Sequence, residues 1–171
     1  MLTVVAPAEL LTPEQELELS KRLAQWRRQP LTAEELAELL PKVSDPALAL
    51  AIGERLGMAG PQAFALIHPL CQQLGIRPAL IKALSICHHP DAKQQLLDWL
   101  PQADSLEPEV LRALSCWGNG IDLAIITKAL DAPGQQHRLA GIELLTFRCR
   151  RISTQQLLRL CEPLLEDCLL Y

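Results

Sequence analysis

Aromatic side chains are scarce in this sequence. Two Phe, one Tyr and three Trp make up 4% of 171 residues, and only four Val accompany them. Strands draw on aromatic and β-branched residues, and no stretch here alternates polar with apolar, so a β architecture is excluded. No run reaches the roughly 18 apolar residues of a membrane span. The opening Met1-Leu-Thr-Val-Val-Ala-Pro7 has no basic segment, and its apolar run is too short for a secretory signal. The expectation is a cytoplasmic chain whose six Cys stay reduced. Those Cys (71, 87, 116, 149, 161 and 168) form no Cys-x-x-Cys pair, which argues against zinc and dithiol chemistry. There is no Gly-rich phosphate loop, His-Glu-x-x-His or Gly-x-Ser-x-Gly. Neighbouring acids such as Glu166 and Asp167 sit side by side, not across a cleft, and so form no acid–base pair. No catalytic residue, cofactor or metal is expected.

What the chain has is Leu and Ala, both good helix formers. Hydrophobic residues make up 49% and charged residues 21%, a globular balance. The length suits a single domain over 1–171. The segments Lys82-Ala-Leu-Ser85, Arg112-Ala-Leu-Ser115 and Glu143-Leu-Leu-Thr146 recur 30 and then 31 residues apart. Prolines at 13, 46, 78 and 108 keep nearly the same step. Each suits a first helical turn, where the missing N–H has no partner to lose. Thr12-Pro13-Glu14-Gln15 and Thr32-Ala-Glu-Glu35 read as capping boxes, and Asp45-Pro46 as a cap followed by Pro. A second series of starts, at Pro61, Pro90, Gly120 and Ser153, interleaves with the first.

Two interleaved series with one period predict a helix pair per repeat. First helices are expected near 46–56, 77–87, 107–117 and 135–147, and second helices near 61–74, 90–100, 120–131 and 153–169. A pair near 13–28 and 32–42 precedes them, within an N-terminal segment 12–43. Leu96, Leu97, Trp99 and Leu100 align with Ile126, Thr127, Ala129 and Leu130, and then with Leu157, Leu158, Leu160 and Cys161. Spacings of three and four place each set on one face. Pro69 and Pro163 fall inside helical runs and predict a kink or break there. The fold class is therefore all-α, an α-solenoid of about five stacked antiparallel helical hairpins, four of them within 46–169.

The period, the hairpin unit and the Ala-Leu element of the first helix (Ala83-Leu84, Ala113-Leu114) resemble the HEAT-like repeat superfamily. The closest likeness is to the short, roughly 30-residue repeats of phycobilisome lyase subunits, over 46–169. Ala59-Gly60-Pro61 and His89-Pro90-Asp91 echo in part that family's Asp-Pro turn. The resemblance implies scaffold or adaptor work. For the lyase-like subgroup it implies help in attaching bilins to antenna proteins.

Cys87-His88-His89 holds ligand types, but adjacent residues at a helix end point apart, so Cys87 reads as core and both His as turn residues. Cys71, Cys116 and Cys161 fall on apolar stripes and read as small core residues. Cys161 and Cys168, two turns apart on one face, are too distant for a local disulfide. Cys149, among Arg148, Arg150 and Arg151, is the best candidate for a reactive thiol. With Arg138 these arginines form a candidate patch for an anionic partner. A formal net charge of −4 and the lack of interleaved aromatics argue against nucleic acid. The second helices are expected to line a groove for another protein, through Lys93, Gln94, Asp98, Asp122, Lys128, Gln155, Gln156 and Arg159. Asp98, Lys128 and Arg159 share one repeat position and predict a polar row. The function expected is a non-enzymatic protein-interaction module. Assistance in bilin attachment is the alternative, and nucleic-acid binding at the Arg-rich end a further one.

Overall fold

The computed structural model describes residues 9–28 and 30–166. Cys168, Asp167, the terminal run 168–171, the end of the last expected helix and the opening 1–7 lie outside them. The described residues are all-α, with no strand among them, and fall into two compact units, up to His89 and from Pro90.

The first unit contains α1 (Pro13–Ala24), α2 (Ala33–Leu39), α3 (Pro46–Met58), α4 (Phe64–Leu74) and α5 (Pro78–Cys87). Their starts follow local chemistry. The Thr12 and Thr32 capping boxes are both closed: Thr12 N donates to Gln15 Oε1 at 2.8 Å and Thr32 N to Glu35 Oε2 at 2.8 Å. Asp45 Oδ1 accepts from Leu48 N at 2.6 Å, and Pro46 opens α3. Such caps satisfy N–H groups that a helix leaves unpaired, and each is worth about 1 kcal/mol. Pro69 does not break α4, which runs on to Leu74. The break expected there is lost because burial of Ile67, Leu70 and Cys71 on either side holds the helix together.

The main packing contact of this unit is α3 against α5. Gly53 and Gly57 make it close. A Cβ at Gly53 would fall on the carbonyl oxygen of Ala79, and one at Gly57 would lie 2.7 Å from that of Ala83. Two residues four apart thus face two residues four apart, with backbone against backbone. Ile52, Leu56, Leu80 and Leu84 are sealed inside as a result.

A second tie binds α1 to the start of α3. Glu16 Oε1 accepts from Ser44 N at 2.5 Å, Ser44 Oγ at 2.9 Å and Asp45 N at 3.3 Å. The Ser44 amide does most to hold the Glu16 carboxyl below its usual range, against an opposing effect of partial desolvation.

The second unit contains α6 (Pro90–Trp99), α7 (Glu107–Leu114), α8 (Leu123–Leu130), α9 (Gln135–Arg148) and α10 (Thr154–Cys161). Tighter 3-10 segments extend or join them, notably Ser115–Gly120, Cys149–Arg151 and Glu162–Glu166. Here α9 packs on both α7 and α8, and α6 on α7. Gly141 allows the approach of α9 to α8, since a Cβ there would meet the Leu130 backbone nitrogen at 3.0 Å. Ser153 closes a capping box with Gln156 at the start of α10, as its position predicts, whereas α8 starts at an Asp122 cap and not at Gly120. Pro163 falls in the 3-10 segment after α10 has ended.

Two expectations about the core need correction. Cys116 is exposed, because α7 ends at Leu114 and the tighter winding of Ser115–Gly120 turns that position out of the stripe. In α10 no residue is buried: Leu157, Leu160 and Cys161 are half-buried and Leu158 is 63% exposed, so the apolar face matched to Leu96 and Ile126 is only partly covered by the described residues.

Two measurements check this account. Gly53→Ala should cost about 1–3 kcal/mol in urea unfolding, because the methyl group must push two helices apart. Ser20→Ala, on the exposed side of α1, should stay within about 0.5 kcal/mol. For Glu16 the folded pKa lies below the unfolded one. Its contribution is therefore complete above the ordinary carboxyl value of 4.5 and is lost as pH falls through the lower folded pKa. Amide exchange of α1 should accelerate selectively on acidification below pH 4.5, and Glu16→Gln should show that faster exchange already at neutral pH.

Candidate partner-binding site

All eight polar residues assigned to the second helices lie in the second unit, and the structure divides their labour. Lys93 Nζ donates to the carbonyl of Gly120 at 2.6 Å, tying α6 to the segment before α8. Gln94 Nε2 donates to Asp98 Oδ1 at 2.8 Å, one turn on along α6. Asp122 caps α8 by accepting from Ala124 N at 3.0 Å. Gln156 belongs to the α10 capping box, accepting from Ser153 N at 3.1 Å. These five side chains already serve the fold. Lys128, Gln155 and Arg159 are exposed and form no hydrogen bond or ion pair among the described residues. Lys128 and Arg159 occupy the same register position on α8 and α10, with Ile126 and Ala129 of α8 turned inward. Among the described residues these two cations have no partner, and they are open to a carboxylate on another molecule.

The four arginines expected to form an anionic-partner patch do not gather in one place. Arg138 Nη1 donates to the carbonyls of Ala132 at 3.0 Å and Pro133 at 2.7 Å, closing the turn that enters α9. Arg148 is half-buried at the other end of α9, about 15 Å along the axis. Arg150 and Arg151 are exposed in the 3-10 segment beyond. The exposed positive charge therefore belongs to Arg150 and Arg151, with Arg138 committed to the fold.

The thiols sort by burial. Cys87 is fully buried and burial pushes its pKa up. Cys71 is pushed up to about 12 by burial first and by the nearby Cys87 second. Both are core residues, protonated and unreactive at neutral pH. Cys149 is half-buried, and its Sγ donates to the Thr146 carbonyl at 3.1 Å. His88 caps α5 in the left-handed conformation, with φ 54° and ψ 25°. The ring of His89 stacks parallel on Phe64 at 4.5 Å. Cys87, His88 and His89 thus point to separate surroundings, and among the described residues no cluster of three His, Cys, Asp or Glu is placed to hold a metal. No helix among them is long and apolar enough to cross a membrane.

The first unit carries features that sequence reasoning passed over. An apolar cleft of about 530 Å³ is lined by Leu40, Val43, Leu50, Leu74 and Leu80, with Arg77 among its few polar neighbours. Trp26 lies under the guanidinium of Arg55, 4.8 Å from the ring centroid. The sequence signal for it was Trp26-Arg27-Arg28 just past the end of α1. Comparison with protein-family models, curated proteins and solved structures finds no match.

Alkylation of the native protein at mild alkaline pH should label Cys116 first and leave Cys71 and Cys87 unmodified until denaturant is added, as read by peptide mass spectrometry. Labelling of Cys87 at the rate of Cys116 would contradict this burial.

Proposed function

We propose that this chain is a non-enzymatic protein-binding module, an α-solenoid of HEAT-like hairpins that holds a partner on its second helices. The packing inside each unit supports the solenoid reading. First helix lies against the next first helix in α3–α5 and in α7–α9. Second helix lies against the following first helix in α4–α5, α6–α7 and α8–α9. Principal contact between neighbouring helices is the habit of stacked hairpins.

The observation that carries the binding reading is the pair Lys128 and Arg159. Both are exposed, at matched register and unused by the fold among the described residues. A long cation held by nothing inside its own chain contributes little to stability. Set on a face beside Gln155, it contributes steering and orientation to an acidic partner. Cytoplasmic adaptor or assembly work fits such a face.

The test is a pull-down from native lysate at moderate salt, with wild type and the Lys128→Glu, Arg159→Glu double variant side by side. The variant should keep its circular dichroism and Tm, since neither side chain is packed. It should lose about tenfold or more of the stoichiometric partner that the wild type retains. Undiminished recovery of that partner by the folded variant overturns the assigned face.

A further inference from the structure

One surface of the first unit leaves two large side chains partly exposed. Trp26, in the turn after α1, is 40% exposed, and Met58, the last residue of α3, is 55% exposed. Both line a cleft of about 260 Å³, with Leu23, Leu31, Leu36 and Arg55 among its walls. This chain has only three Trp, and apart from Met1 no other Met. It places one of each at the rim of a single small apolar recess. Trp, Met and Arg are the side chains over-represented where proteins bind each other, and Trp and Arg dominate the energetically important positions.

Arg55 is the charged residue that lines the recess, and Arg27 stands against its Trp26. Arg55 lies over the indole of Trp26 at 4.8 Å and Arg27 at 5.7 Å. Neither forms an ion pair among the described residues. Glu35 of α2 is already paired with Arg22 at 3.6 Å. A guanidinium stacked on an aromatic face is oriented and weakly hydrated, so that pairing it with a carboxylate sacrifices little further freedom. The recess is smaller than the roughly 300–1,000 Å³ of sites for drug-sized ligands, and suits one or two side chains.

We propose that this cleft binds an acidic peptide segment bearing a bulky apolar side chain. The apolar group enters the recess between Trp26 and Met58, and flanking carboxylates pair with Arg27 and Arg55. The surface lies in the first unit and involves neither Lys128 nor Arg159, so it stands or falls separately from the second-helix face.

The probe is a short fluorescein-labelled peptide of Asp and Glu around a central Leu-Phe. Its counterpart has every acid replaced by Lys. Fluorescence anisotropy should show saturable binding of the acidic peptide, weakened as salt rises from about 50 to 500 mM, and none of the basic one. Trp26→Ala should weaken the acidic peptide by about tenfold, and Arg27→Glu with Arg55→Glu should abolish its binding and admit the basic peptide. The Lys128→Glu, Arg159→Glu variant should bind as wild type does. Circular dichroism checks that each variant is folded, and Trp26→Phe, which keeps an aromatic face, should retain most of the affinity. Equal binding of both peptides, indifference to the Arg27 and Arg55 reversals, or no saturable binding up to about 1 mM overturns the proposal. So does self-association of the wild type that the reversals abolish, which would instead assign the cleft to a second copy.

Discussion

The close approach of α3 to α5 is the constraint on which the first unit rests. Gly53 and Gly57 leave no side chain between the helices, and Ala79 and Ala83 keep theirs small. The backbones meet, and dispersion contacts accumulate along the whole seam. With that separation set, Ile52 and Leu56 of α3 and Leu80 and Leu84 of α5 lie wholly out of solvent. The same α3 carries exposed apolar groups of its own, Leu50 in its first half and Met58 at its end, with the half-buried Arg55 three residues before Met58. In the second unit Gly141 plays a comparable part between α9 and α8.

Around these seams the helix ends are secured locally. Thr12, Thr32, Asp45, Asp122 and Ser153 each spend a side-chain oxygen on a first-turn amide. Glu16 extends this economy over distance, reaching from α1 to the amides that precede α3. The same chemistry engages many polar residues of the second helices within their own unit. Lys93, Asp122 and Gln156 bind carbonyls or amides of their own unit. Among the described residues, what they leave over is a small set of cations and a glutamine.

Much of the helical content was legible along the chain, for a physical reason. Caps, first-turn prolines and three-four apolar spacing act over a few residues, and such short-range chemistry is written in consecutive letters. Hence the starts of α1, α2, α3, α5 and α10 fall where Thr12, Thr32, Asp45, Pro78 and Ser153 put them. The α8 start is displaced because Asp122 is a better cap than Gly120. Cys116 left the apolar stripe because the winding tightened from α to 3-10 after Leu114, and no periodic template anticipates a change of period.

The sequence alone determined the all-helical class and most of the helix starts, since both follow from local backbone chemistry. Only the tertiary structure decided which side chains are free. Whether Lys93 serves a partner or the carbonyl of Gly120 depends on two segments 27 residues apart in the chain. The stack of Arg55 on Trp26 and the meeting of Gly53 with Ala79 likewise join distant positions. Contacts between such positions exist only once the helices have packed, and no local pattern encodes them.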